Sequence, residues 1–294
     1  MSIEAKGALS AAIGGSLRDL LGALDLRPAG DDRFRLVSST TSTRRLVFGG
    51  QLLAQAVVGA AATVEDKQIN SLHAAFTQAG TPGRAVEVAV TRVRDGRAMA
   101  TRQVTVFEDD APLLIAIATF GAFRTTPEVT PSPTETAAPA DVPLLQEWAV
   151  DVPSGAHWIE QPPAVEFRMP EPPSFLTGAT ESSARAHWMR LPRDVGDDHA
   201  RNAALLAYAS DFFLMDMVFR LHPDELGPGR ASGLSLDHAI WFHRPVRFDT
   251  WHLHTQEAVA VVGDRGLARG SIHDAEGRLV ASVAQDVLLR LGAT

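Results

Sequence analysis

Apolar residues recur at helical spacing in Leu17, Leu20, Leu21 and Leu24, behind Ser16 and Asp19. That pattern predicts a helix capped by Ser16 near the start of the chain. A second helix is predicted over residues 50–64, where only Gln51 and Gln55 are polar in the first two turns. A helix apolar nearly all round has to be wrapped by other structure. Alternation with a period of two follows. Val86, Val88 and Val90 alternate with Glu87, Ala89 and Thr91, and Arg94-Asp95-Gly96-Arg97 marks a hairpin turn. Residues 101–107 alternate again, and Asp109-Asp110-Ala111-Pro112 turns the chain into 113–123.

The second part repeats this order. Strand patterns at 164–169 and 184–191 precede a long apolar helix over 203–221. Strands then read 234–246, 251–262, 266–273 and 279–291, with turns at Gly263-Asp264-Arg265-Gly266 and Asp274-Ala275-Glu276-Gly277. Between the two parts lies 125–143, TTPEVTPSPTETAAPADVP, whose prolines fix φ and remove donors, so it reads as a linker. The expected organisation is a unit over 1–124, a Pro-rich linker over 125–143 and a second unit over 144–294. Matching features support an internal repeat: His73 with His238, Arg102 with Arg269, and Leu113 with Leu279, at offsets of 165, 167 and 166 residues. Each half reads as one buried helix and an antiparallel meander, which suggests a sheet curled around the helix.

Composition narrows the chemistry. The 294 residues contain no cysteine, which removes thiol nucleophiles and Cys-based metal sites. The 27 basic residues against 35 acidic ones give −8, which disfavours a general nucleic-acid binder. Lys6 and Lys67 are the only lysines. The start of the chain lacks the pattern of a signal peptide, and no apolar stretch of about 18 residues is free of charge. No membrane insertion and a cytoplasmic location are therefore expected.

Three groups of motifs go further. In the first half these are Val47-Phe48-Gly49-Gly50-Gln51-Leu52-Leu53-Ala54-Gln55-Ala56, then Ser71-Leu72-His73-Ala74-Ala75-Phe76, then Arg94-Asp95-Gly96-Arg97. In the second half they are Tyr208-Ala209-Ser210-Asp211 and Leu236-Asp237-His238-Ala239-Ile240-Trp241-Phe242-His243-Arg244-Pro245. The last is Ser282-Val283-Ala284-Gln285-Asp286. In content and order, over residues 15–290, the chain resembles the acyl-CoA thioesterase II family of double hot-dog proteins. The resemblance implies an α+β fold of two tandem hot-dog repeats, each a curved antiparallel sheet around a long apolar helix. It implies hydrolysis of fatty acyl-CoA to fatty acid and CoA by a water held by Asp211, Ser235 and Gln285. It also implies a homodimer or larger assembly, with no metal and no cofactor. The family usually has Thr where Ser235 stands, and Arg-Pro-Gly where Gln78-Ala79-Gly80 stands.

The residues can also be read on their own chemistry. With no Cys, and with Gly233-Leu234-Ser235-Leu236-Asp237 lacking the second glycine of a nucleophile elbow, water is the better nucleophile and needs a carboxylate base. Asp211 lies in the apolar run LLAYASDFFLMDMVF, where an ion is costly unless paired. It reads as a base or as a helix cap. Asp216, five residues on, points about 140° away on a continuous helix and reads as a structural or partner-facing residue. Gln285 reads as a water-orienting amide or an exposed strand residue, and Ser235 as a water ligand or a turn residue. The offset counterpart of Gln285, Thr119, suggests that one repeat alone keeps a full site. Gly49 and Gly50 are candidates to present backbone N–H groups to a carbonyl. His73 is the histidine expected nearest the substrate, and Arg94, Arg97 and Arg244 are candidates for the CoA phosphates. Two other functions stay open: a hot-dog enoyl-CoA hydratase, which would pair Asp with His, and a non-catalytic acyl-CoA-binding protein.

Overall fold

The computed structural model describes residues 3–37, 46–124, 127–177, 183–221 and 231–291. The first half contains α1 (Ile3–Gly22), β1 (Arg27–Gly30), β2 (Arg33–Val37), α2 (Gly49–Ala61), β3 (Gln68–Phe76), β4 (Ala85–Asp95), β5 (Met99–Glu108) and β6 (Ala111–Gly121). Short helices α3 (Leu145–Ala149) and α4 (Ala156–Glu160), strand β7 (Glu166–Arg168) and helix α5 (Ser174–Thr177) follow. The second half then contains β8 (Ala184–Arg190), α6 (His199–Ser210), α7 (Leu214–Arg220), β9 (Ala231–Ser235), β10 (Asp237–Phe242), β11 (His252–Val262), β12 (Arg265–Asp274) and β13 (Leu279–Leu291).

All the strands join one sheet in the order β1-β2-β4-β5-β6-β3-β10-β13-β12-β11-β8-β7, with β9 alongside β13. The order is the same from either end once each strand is matched to its repeat partner, and every pairing is antiparallel. The halves meet at β3 and β10, where Leu72 lies opposite Ile240 and Ala74 opposite His238. One apolar core runs through both halves, from Leu52 and Leu53 to Leu205 and Leu206.

The two central helices occupy that core. Every residue of α2 from Gly50 to Val57, and every residue of α6 from Asn202 to Ser210, is buried. They pack against each other, and the start of α2 meets the end of α6. A Cβ at Gly50 would lie 2.4 Å from the Tyr208 carbonyl oxygen, so only glycine permits this approach. His199–Arg220 is long and apolar enough for a membrane-crossing segment, but 89% of its window is buried inside the protein.

Several expectations are corrected. Ser16 is not an N-cap: α1 begins at Ile3, and Ser16 lies within it, donating its hydroxyl to Pro162 O at 2.6 Å. That partner is 146 residues away, and local patterning carries no trace of it. The helix expected over 203–221 is broken. Asp198 caps α6 by accepting from Arg201 N, Asp211 ends it, and Phe213 turns left-handed at φ 69° before α7 begins. Positive φ disfavours a bulky residue by about 1–2 kcal/mol. Packing holds it: the Phe213 ring lies among Trp158, Phe167, Phe175 and His187, with the Arg185 guanidinium 5.2 Å from its centroid. Gln256 Nε2 donates to the Phe212 carbonyl at 2.8 Å, satisfying a backbone acceptor at the break.

Two repeat matches also fail, for one reason. Side chains alternate across a strand, so an offset wrong by one residue changes face. Arg102 is buried and Arg269 exposed; His238 is buried and His73 exposed. Among helix-facing cross-strand pairs, Arg102 lies opposite Ala118 in the first half, and Ala268 lies opposite Gln285 in the second. Gln285 therefore corresponds to Ala118, not to Thr119, whose hydroxyl bonds to Ser71. Where the second half is open enough for a glutamine, the first is filled by Arg102. Its Nε donates to Thr63 Oγ1, and its terminal nitrogens donate to Thr63 O, Arg94 O, Thr101 O and Asp95 Oδ1.

The Pro-rich segment is laid across the second half of the sheet. Pro131 O contacts His273 on β12, Thr134 contacts Thr255 on β11, and Ala137 O accepts from Trp188 on β8.

Two stability tests follow from this packing. Arg102→Met should cost on the order of 3 kcal/mol, because it strands buried carbonyls; the urea midpoint of unfolding measures it. Burial holds His187 and His252 below the usual histidine range and His238 and His254 at about 3. The unfolded chain therefore binds more protons below about pH 6.5. Stability should fall steadily as pH drops from there toward 3, read from urea midpoints across that range.

Candidate active site

Three of the residues singled out in the sequence converge. Asp211 ends α6, Ser235 ends β9, and Gln285 stands on β13 facing the helices. Gln285 Nε2 donates to Asp211 Oδ1 at 2.7 Å and to Ser235 Oγ at 2.5 Å. The amide thus ties together two groups that are 24 residues apart in the chain. Asp211 is 8% exposed and Gln285 1% exposed. A buried carboxylate is costly without partners, and here the Gln285 amide is one of them.

The break in the helix positions this carboxylate. It lies at the end of α6, against the start of α2. A Cβ on Gly49 would come 2.9 Å from Asp211 Oδ2 and 3.0 Å from the Phe76 ring. Only a bare Cα admits the carboxylate there. The first backbone N–H groups of a helix lack intrahelical acceptors, and they carry the positive end of its dipole. Phe48, at the N-cap of α2, has an extended backbone and makes no side-chain cap. Its ring packs 4.4 Å from Phe212 and 5.3 Å from Tyr208.

In the sequence His238 has a place in a motif and a repeat match to His73 but no role at the site, yet it packs directly against Asp211. Its ring is fully buried, with Nδ1 3.8 Å from Asp211 Oδ1 and Nε2 2.9 Å from Ser210 Oγ. Burial keeps it neutral near pH 7, so the approach to Asp211 is not an ion pair. Tyr208, one turn before Asp211, is pushed above its ordinary range, chiefly by burial. Gln256, which supports the helix break, was also missed. The available signal for both was a polar residue at a helix-facing position of a strand, but face assignment needed the register.

The remaining predicted residues lie elsewhere. His73 is exposed on the outer face of β3, edge-on to Trp241. Arg94 and Arg97 flank the hairpin between β4 and β5, beside Arg102 and Thr63. That is the far end of α2, about 20 Å along its axis from Gly49. Arg244 donates to Leu279 O and pairs with Glu128. It lines a groove with Lys67, Phe123 and His199, also at the Ala61 end of α2. Of the two readings of Asp216 the structure supports the structural one: it is buried and accepts from Arg185 at 2.6 Å and from Ser174. Among the described residues, no group of three or more His, Asp or Glu side chains is placed to hold a metal ion.

Comparison with known proteins agrees with this architecture. Residues 37–121 match the family model of the acyl-CoA thioesterase N-terminal domain, and 130–289 match that of the C-terminal domain. Acyl-CoA thioesterase 2 of Haemophilus influenzae is 30% identical over 284 residues, covering 93% of this chain and 98% of that protein. The crystal structure of an acyl-CoA thioesterase II from Mycobacterium marinum is 27% identical with a TM-score of 0.76, covering 93% of this chain and 99% of that one. A hot-dog-fold protein of Alicyclobacillus acidocaldarius, 19% identical, superposes with a TM-score of 0.76 over 93% of this chain and 98% of its own, which bears on the fold alone. With the C-terminal model spanning more than half of its length and the N-terminal model most of the first repeat, the chain belongs to the acyl-CoA thioesterase family.

Proposed function

We propose that this protein hydrolyses fatty acyl-CoA to free fatty acid and CoA, with Asp211 as the general base. The observation that carries the reading is the bridge from Asp211 through Gln285 to Ser235, set against the start of α2. A water hydrogen-bonded to the Asp211 carboxylate and the Ser235 hydroxyl attacks the thioester carbon. Its proton passes to Asp211 as the new C–O bond forms. The carbonyl oxygen becomes an oxyanion, stabilised by the backbone N–H groups of Gly49 and Gly50 at the start of α2. Collapse breaks the C–S bond, and the proton on Asp211 goes to the leaving CoA thiolate. The Asp carboxylate is regenerated. Gln285 does no proton transfer; its amide fixes the base and the hydroxyl at one spacing.

A hydratase would require a histidine open to its substrate. His238 is fully buried with Nε2 engaged by Ser210, and position 285 is Gln. Nothing in the site favours that chemistry.

The family likeness also supports assembly as a homodimer or larger. Ile115 and Ile117 on β6 and Trp241 on β10 lie exposed on the outer face of the sheet at and beside the seam, and such an assembly would cover them.

Asp211→Asn should lower kcat by at least about 10³-fold while acyl-CoA still binds; turnover near the wild-type rate in a thioesterase assay would sink the base assignment. Gln285→Ala should lower kcat more than it changes KM, because the amide acts on the attacking state. Sedimentation should show an oligomer that Trp241→Asp disperses; an unchanged assembly would place the interface elsewhere.

A further inference from the structure

His238 has a second ring nitrogen that the hydrolytic scheme does not use. The Ser210 hydroxyl has one hydrogen, and it donates this to the Ala207 carbonyl at 2.9 Å, one turn back in α6. A carbonyl can only accept, so Ser210 Oγ faces His238 Nε2 as an acceptor. Nε2 therefore carries the ring hydrogen, and Nδ1 presents a lone pair. Nδ1 is buried, has no hydrogen-bond partner among the described residues, and stands 3.8 Å from Asp211 Oδ1.

A lone pair aimed at an anionic carboxylate is mildly repulsive, whereas the same lone pair aimed at a carboxylic acid can accept its hydrogen. We propose that His238 is a positioning residue for Asp211: held as the Nε2–H tautomer by Ser210, it receives at Nδ1 the hydrogen bond of the Asp211 carboxyl after the attacking water has given up its proton. The inference rests on Asp211 being the base. No proton leaves Asp211 in this contact; Oδ1–H shortens its distance to Nδ1 and keeps the proton until the thiolate takes it. The effect favours the protonated carboxyl, so it makes Asp211 a stronger base.

The other groups around the pair limit what else could set the acid limb of activity. On α6, Tyr208 is kept neutral by burial. From β11, His254 faces His238 and is itself held neutral by burial. From β13 and β9 come the uncharged Gln285 and Ser235, and from α2 the backbone at Gly49. Beyond His254 stands Arg185, paired with Asp216. Asp237, next to His238 on β10, is directed to the Asp286 backbone N–H instead.

The test combines a spectroscopic and a kinetic reading. Nitrogen-15 NMR of ring-labelled protein should show His238 as the neutral Nε2–H tautomer in the wild type. Ser210→Ala removes the acceptor, so the ring hydrogen should move to Nδ1 and donate to the carboxylate. The acid limb of kcat/KM for a fatty acyl-CoA should then shift down by about half a pH unit or more. kcat should fall about tenfold with KM within about twofold, since the contact acts after binding. Ser210→Thr restores the hydroxyl and should restore the limb. A wild-type Nδ1–H tautomer, or a loss of kcat in Ser210→Ala with an unmoved acid limb, would overturn the proposal. Asp211→Asn separates the two readings. If it is inactive and the limb is unmoved in Ser210→Ala, the role of His238 alone fails; if it remains active, the base assignment fails.

Discussion

Everything at the site depends on a buried carboxylate held where one helix ends and another begins. Asp211 closes α6 at the point where α2 starts. A helix that simply continued past residue 211 would carry its carboxylate away along a helical face. Phe213 stops it by turning left-handed, and the packed rings around Phe213 make that conformation affordable. Gly49 and Gly50 matter for the complementary reason. Any side chain at either position would separate α2 from the carboxylate or from the Tyr208 carbonyl. Close approach at Gly49 sets the positive end of the α2 dipole against a charge that burial disfavours, and the Gln285 amide donates to it.

The helix break has a polar foundation of its own. Arg185, Asp216 and Ser174 form a buried ion pair and hydrogen-bond cluster under α7, and Gln256 holds the Phe212 carbonyl. Burying ions rarely adds net stability, but leaving one unpaired is strongly destabilising. Such a cluster therefore penalises alternative packings of the 211–216 segment more than it stabilises the observed one. His187 and His254 pack beside it, both neutral through burial.

The two repeats divide labour around one core. The strand order is palindromic and the central helices are equivalent, so each half begins with the same opportunity for a site. The second half places Gln285 opposite the small Ala268 and leaves room for the carboxylate and hydroxyl. The first half reverses the sizes: Arg102 stands opposite Ala118, and its guanidinium binds the Thr63 carbonyl just past the end of α2. One half is filled by Arg102, and the other carries the linked carboxylate, amide and hydroxyl.

The sequence by itself determined the repeated architecture, because period-two alternation, apolar helices and turn residues are local signals. The last strand was read as 279–291, and that is where β13 runs. Asp211 was legible as a carboxylate in an apolar run, and Gln285 as an amide in an apolar strand. The functional meaning of that pair came from motif resemblance, since spacing alone left each as a cap or a surface residue. Tertiary structure decided the rest. It broke the helix at Asp211, because ring packing from distant segments outweighed local helical preference. It assigned His238 to the interior and His73 to the outer face, a distinction that turns on a one-residue register. It carried Arg94 and Arg97 to the opposite end of α2 from the carboxylate. Each of these depends on which surfaces meet between segments well separated along the chain, and such contacts leave no local pattern to read.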